Sequence, residues 1–306
     1  MSYKINALPS PKAYNEEKAD FWEVEALKNF GDPVSQSTIS KILSVGSDEL
    51  SHEGITSEDD ETYMDLDETF NELDLRNKKC AGGYPYELGK FSVKTSASLT
   101  DENKVYVFLL LCTRFNMFKD KVQNSLDGTL IFERISALVL REYLGENAKS
   151  IVFGTAVSGS FEDKVEDLIE KIGEGVKFKN PNKNPPTKND DGIDVVGWLD
   201  FFDQEPGKLI AFGQCKTGTT WRNEIQRLNP QRFCSNWLFE QPILYPIPVV
   251  FLTDVTYSSR NIYTDQKDYL VFNRFRIMQN LPSTLPIDVQ QDIITWVDGA
   301  LVSLRN

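Results

Sequence analysis

The sequence predicts an α/β (α+β) chain in which a mainly helical N-terminal module precedes a sheet-bearing domain. Three observations carry that prediction. Short apolar runs at 191–197, 209–216 and 247–253 have the length and composition of buried strands. Segments with helical spacing, 130–144 and 161–172, stand ahead of them, with a closing one at 289–304. Polar turns rich in Gly and Pro punctuate the series, among them Asp203-Gln204-Glu205-Pro206-Gly207, which suits an antiparallel hairpin.

Along the chain, residues 18–46 read as helical, with Phe21, Trp22, Val24, Leu27 and Phe30 at mixed three- and four-residue spacing. A second helical piece from Ser35 to Leu43 is opened by Asp32-Pro33. An acidic stretch follows at 48–74. Its first part reads as loop, and its second part regains apolar residues and reads as a surface helix. After a turn-rich break at 77–83, residues 84–88 and 91–93 read as short strands. The run 106–112 is apolar on every side, so periodicity alone does not choose between helix and strand, and its length with flanks favours helix.

Asp127-Gly128-Thr129 opens the helix 130–144, which places Glu133 in its first turn, and Gly145 supplies a stop. Residues 150–153 are strand-like, and 177–191 form a polar loop bearing lysine and proline. The segment 221–239 reads as helical with an interruption at Pro230. The expected organisation is therefore a module over 1–125 and a second domain over 126–306. No internal repeat is evident.

Composition removes several function classes. With 306 residues, 40% hydrophobic, the chain can bury a full core. It has no run of about 18 apolar residues and no secretory leader pattern, so the expected setting is cytoplasmic, without membrane. Four cysteines lack any C-x-x-C spacing, which argues against a zinc ribbon or a disulfide framework. The single histidine, His52, sits among acids, so a Ser-His-Asp triad or His-rich metal centre would have to use it.

The net charge of −13 is local. Of 46 acidic residues, 12 lie in 48–74, where there is no Lys or Arg; elsewhere 34 acids face 33 bases. The rest of the chain is thus free to carry basic patches.

The chemistry concentrates where charge is most expensive. Asp194, Gln214 and Lys216 interrupt apolar runs, and an unpaired buried charge costs several kcal/mol. Gln214 and Lys216 are two apart, so on a strand they share a face while Cys215 points to the other. A hairpin brings Asp194 alongside. A carboxylate, an amide oxygen and the backbone carbonyl of Cys215 are hard oxygen donors of the kind magnesium accepts. A lysine two residues on can orient an attacking water and offset charge on a phosphorane-like transition state. Asp191 reads as a turn acid, and Cys215 as a packed small hydrophobe.

These residues resemble the PD-(D/E)XK nuclease superfamily, in its restriction-endonuclease-like branch that includes Mrr-type enzymes with glutamine in the first position of the E-x-K element. The resemblance rests on Gly192-Ile193-Asp194-Val195-Val196 and on Gln214-Cys215-Lys216. Phe132-Glu133-Arg134 looks like the family's first core helix. It spans roughly 128–255 and implies a mixed sheet flanked by helices, with hydrolysis of DNA phosphodiesters supported by Mg2+ or Mn2+. On that basis Asp194 is a metal ligand, Gln214 positions metal or water, Lys216 is the catalytic lysine and Glu133 is an auxiliary ligand. Glu133 also admits a plainer reading, as an acid favoured by the helix dipole.

Lys177, Lys179, Lys183 and Lys188, with Trp221 and Arg222, are candidates to flank a nucleic-acid backbone or, equally, a solvated loop with Trp221 in the core. No DNA-reading module is recognisable. The family's usual context implies the effector of a prokaryotic antiphage defence or restriction system. Such an effector would act with an ATPase or sensor partner and could form a homo-oligomer. The competing expectation is a non-catalytic module that keeps the nuclease fold and binds DNA or a partner subunit.

Overall fold

The computed structural model describes residues 8–10, 13–39, 41–42, 66–80, 82–154, 159–180, 191–221, 224–256 and 268–305. The first part of the acidic stretch, His52, Lys183, Lys188 and Arg222 lie outside them. The chain divides into two compact units, Met1–Leu126 with Gln291–Asn306, and Asp127–Gln290. The closing helix, expected in the second domain, thus belongs from Gln291 onward to the first unit.

In the first unit, α1 (Asn15–Lys28) is buried along most of its length and carries Asp20 and Glu23 inward with Trp22 and Leu27. The sequence reading has helical pieces on either side of Asp32-Pro33, and so does the structure: α1 ends at Lys28, and residues 36–39 and 41–42 are helical again. Gly31 takes a left-handed φ of +99°, and Pro33 disfavours helix in the residue before it. The chain then pairs as β1 (Val34–Ser35) with β3 (Ser92–Thr95), which also pairs with β2 (Tyr86–Leu88), giving a three-stranded antiparallel sheet. α2 (Leu66–Lys79) takes up the second half of the acidic tract.

α3 (Asp101–Arg114) starts at a reciprocal capping box between Thr100 and Asn103. Every residue from Val105 to Cys112 is 0 or 1% exposed, which is why its sequence shows no period. A short ribbon of β4 (Val122–Gln123) and β5 (Leu126–Asp127) follows. The end of α8 (Ile287–Arg305) completes this unit; its Trp296 Nε1–H donates to the Lys121 carbonyl at 2.9 Å.

Arg76 of α2 is the buried hub of this unit. Its Nε donates to Glu72, its Nη1 to Asp20 and Glu23, and its Nη2 to the Glu16 carbonyl, all at 2.7–2.8 Å. The Tyr84 and Tyr106 hydroxyls donate to Glu23 at 2.8 and 2.9 Å. Burial disfavours the guanidinium's charge, but Glu23, Tyr106, Asp20 and Glu72 outweigh it and hold its pKa well above the ordinary value.

The second unit is built on a five-stranded mixed sheet in the order β10-β9-β8-β7-β6. β6 (Ala148–Val152), β7 (Val195–Leu199) and β8 (Ile210–Lys216) pair antiparallel, and β8, β9 (Ile247–Leu252) and β10 (Leu270–Phe272) run parallel. The 203–207 turn does close the expected hairpin between β7 and β8. On one face lies α4 (Gly128–Leu144), so close that a Cβ on Gly197 would meet Leu140 Cδ2 at 2.6 Å.

On the other face, Val196, Trp198, Ile210 and Phe212 form the core with α5 (Phe161–Ile172) and α6 (Pro230–Trp237). α5 has its own capping box, Ser160 with Asp163, and stops at Gly173, whose φ is +71°. The expected helix over 221–239 is a 3-10 turn at Ile225–Arg227 followed by α6, which begins at Pro230 because proline fits the first helical position. α7 (Arg274–Gln279) follows β10. Among the described residues, no helix is long and apolar enough to cross a membrane.

Candidate active site

The site forms where β7 begins and β8 ends. Asp191 and Gly192 both take left-handed φ values, +49° and +84°, turning the chain into β7. Asp191 accepts from Trp237 Nε1 at 2.7 Å and is 8% exposed, which makes it the structural acid of that turn. A Cβ on Gly192 would come 3.3 Å from Gln214 Nε2, so the glycine serves both the turn and the space that Gln214 occupies.

Asp194 is fixed from both sides. Its N–H donates to the Gly213 carbonyl at 2.8 Å, and its own carbonyl accepts from Phe153 and Gly154 at 2.7 and 3.0 Å. Its Oδ2 accepts the Cys215 N–H at 2.7 Å. The other oxygen, Oδ1, faces Gly154: a Cβ there would lie 3.1 Å from it and 2.9 Å from Glu133 Oε2. Two carboxylates from α4 and the β7 entrance therefore converge on the space that Gly154 leaves empty. The Gly154 carbonyl accepts from Lys164 Nζ at 3.0 Å, and that lysine is itself buried.

Glu133, at 6% exposure, is not in the first helical turn. Asp127 caps the helix by accepting the Thr129 N–H, so α4 starts at Gly128 and Glu133 falls one turn later than the sequence places it. Dipole effects fade within the first turn, so packing over Gly154 accounts better for its position than the helix terminus does.

Gln214 and Lys216 leave the face of β8 that carries Ile210 and Phe212, while the Cys215 thiol turns to Ser136 on α4. Burial, with Asp194 and Glu133 nearby, pushes that thiol well above its usual pKa, so it is a poor nucleophile. Gln214 is 4% exposed, and its Oε1 has no hydrogen-bond partner among the described residues. Lys216 Nζ pairs with Glu224 Oε2 at 2.9 Å. The structure thus gathers Glu133, Asp194 and Cys215 around Gly154, while Gln214 sits against Gly192 and Lys216 on Glu224.

Trp221, a candidate base-stacking residue, is 1% exposed and donates through Nε1 to Asp254 Oδ2 at 3.0 Å; it belongs to the core. Lys177 lies over the Phe239 ring at 4.7 Å, and Lys179 donates to the Ser235 carbonyl at 3.2 Å. Sequence reasoning missed Gly154, Lys164 and Glu224. A glycine directly after the strand-like run Ile151-Val152-Phe153 was the one available signal; Glu224 has no periodic relation to Lys216.

The two carboxylate oxygens that converge at Gly154 are donors of the kind a hard divalent cation takes, and the unpartnered amide oxygen of Gln214, held against Gly192, is a further neutral donor on the same turn. Among the described residues no group of three His, Cys, Asp or Glu side chains is placed to hold a metal, so neutral oxygens and water would complete the shell.

No family model matches the chain, and no curated protein matches it. Among solved structures it is similar to the MspJI restriction endonuclease in complex with a 27-mer oligonucleotide, at 12% identity and a TM-score of 0.27. The match takes in 69% of this chain and 39% of that one. A TM-score of that size does not establish a shared fold.

Proposed function

We propose that Asp127–Gln290 is a nuclease unit that hydrolyses DNA phosphodiester bonds with Mg2+ or Mn2+. The observation that carries this reading is the convergence of Asp194 Oδ1 and Glu133 Oε2 on Gly154, at the end of the strand that bears Lys216. Asp194 and Glu133 would hold the ion, with Gln214 Oε1 and the Cys215 carbonyl as neutral donors. When bound, the ion supplies Lewis-acid polarisation of the phosphoryl group and acidifies water.

The remaining work falls to the chain. The Cys215 N–H holds one Asp194 oxygen so that the other stays aimed at Gly154. Lys216 exchanges Glu224 for a phosphate oxygen and offsets charge that builds there during the reaction. Because an unrestrained nuclease endangers its own genome, the reading extends to an antiphage or restriction effector governed by an ATPase or sensor partner.

The test is cleavage of supercoiled plasmid with Mg2+ or Mn2+ by the full chain, beside Asp194→Ala and Lys216→Ala. Loss of a single catalytic group should slow cleavage by about 10²-fold or more. Equal cutting by the variants would sink the nuclease reading. Metal-independent DNA binding without cutting would favour the inactive nuclease-fold module, a reading supported by neutral Gln214 and by the two carboxylates, no more, that converge at Gly154 among the described residues. RNA and branched-DNA arms of the same assay identify the substrate.

A further inference from the structure

The end of the second unit's sheet opposite Lys216 presents a large apolar surface. The β7–β8 turn lies there with Phe202, 96% exposed. Beside it lies the segment leading into β9, with Ile243 at 67%, Leu244 at 51% and Tyr245 at 58%. Val176 and Phe239, at 61 and 54%, adjoin them, since the Phe239 and Glu240 N–H groups donate to the carbonyls of Lys177 and Gly175. The Ile243 side chain lies 3.9 Å from where a Cβ on Gly207 would stand, so the turn and the segment form one surface.

This surface is rigidly built. The Glu174 carboxylate, 6% exposed, accepts the Gly207 and Lys208 N–H groups with one oxygen and the Ile243 N–H with the other, at 2.9–3.0 Å. The Lys208 ammonium, 2% exposed, pairs with Asp200 at 2.8 Å and locks the base of the same turn. Pro242 and Pro246 are buried on either side of the exposed Ile243-Leu244-Tyr245. Two buried charges and two prolines thus hold apolar groups out into water, and loops ordered in advance lose little entropy when they dock.

Three of these six side chains are aromatic and three aliphatic; weighted by their exposures they present on the order of 700 Å², more than a monomer usually leaves exposed in one patch and close to the ~800 Å² per partner of a standard interface. The exposed rim carries both signs of charge, Lys177 against Asp203, Glu205 and Glu240. With one base and three acids per copy, a two-fold axis lets each Lys177 meet acids of the other copy but leaves acids in excess, so the apolar area drives the pairing and the rim does not.

We propose that this surface is a dimer interface, occupied by the same surface of a second copy of this chain. Two-fold apposition buries the apolar centre and sets the lysine of each copy against the acids of the other, while the site at the other end of each sheet stays accessible.

Sedimentation velocity of the full chain from about 1 to 100 µM, which reaches dissociation constants up to the micromolar range, tests this. The wild type should sediment as a dimer. Phe202→Asp, Ile243→Asp and Leu244→Asp, all at exposed positions, should each weaken the dimer by about tenfold or more, as truncation of a central contact does. Ile287→Asp, in the same unit at a position that is 84% exposed and next to Asp288, which pairs with Arg134 of α4, should leave it intact. A wild type that remains monomeric across the range overturns the proposal, and so do patch variants that dimerise as the wild type does.

Discussion

Arg76 and Gln214 are both buried polar side chains, and the contrast between their surroundings separates architecture from chemistry. Around Arg76, Nε, both Nη groups and the two tyrosine hydroxyls are matched to acceptors, and no nitrogen of the guanidinium lacks a partner. Around Gln214 the amide oxygen has none among the described residues, although leaving a buried acceptor unsatisfied costs about 1–3 kcal/mol. Other such atoms exist, Trp22 Nε1 and Thr253 Oγ1 among them. Gln214 differs from them in its place: it abuts the Gly192 turn, two residues before Asp194, and precedes Cys215, whose N–H holds the Asp194 carboxylate. A saturated network stabilises a fold, whereas a fixed acceptor left open against the turn that leads to Asp194 suits a ligand.

The largest effect should come from breaking the saturated side. Arg76→Met leaves Asp20, Glu23 and Glu72 buried together without their cation, and loss of one partner from a buried ion network costs about 3–5 kcal/mol. Denaturant unfolding should show that loss. Asp194→Asn keeps the size and most hydrogen bonds of its side chain and should shift stability by only about 1 kcal/mol while abolishing metal-dependent cleavage. A small stability change for Arg76→Met would erase the distinction between the two regions.

Much of the second unit was legible because its strands are apolar runs bounded by strong turns, and its helices have one-sided apolar stripes. The same logic singled out Asp194, Gln214 and Lys216 as candidates, since polar and charged residues in an apolar strand stand out. Three other features were hidden for physical reasons. The short strand Val34–Ser35 between the two N-terminal helical pieces was hidden because it exists only by pairing with Val93 and Ser92, which are distant in sequence. Glu133 was placed a turn early because the cap at Asp127, rather than the apolar period, sets the start of α4. Gly154 and Glu224 matter through contacts with residues distant or aperiodic in sequence, and those exist only once the sheet has formed.

A sharper test of the open side adds one methyl group. The φ of Gly154 lies outside the left-handed region, so alanine is compatible with its backbone, but the new Cβ would sit 2.9 and 3.1 Å from the two carboxylate oxygens. Gly154→Ala should weaken Mn2+ binding by about tenfold, an effect of ~1.4 kcal/mol, with a similar or smaller change in folding stability. Titration of free Mn2+ by electron paramagnetic resonance reads the affinity without any need for cleavage. If the variant binds Mn2+ as the wild type does, the two carboxylates do not share an ion at that point.

The smallest expected effect belongs to the saturated network at high pH. Burial, then Glu23 and Tyr106, raise the Tyr84 hydroxyl well above the ordinary tyrosine value, against the opposing pull of Arg76. The folded chain therefore keeps a proton that the unfolded chain releases near pH 10, so this contribution to stability is complete below about pH 10 and is lost as pH rises toward the folded value. One such group steepens the fall by at most ~1.4 kcal/mol per pH unit. Tyr84→Phe should cost about 1 kcal/mol at pH 8, where it forfeits the hydrogen bond to Glu23, yet lose stability less steeply than the wild type above pH 10. Parallel curves for the two proteins would mean that the tyrosine is not held neutral by its neighbours.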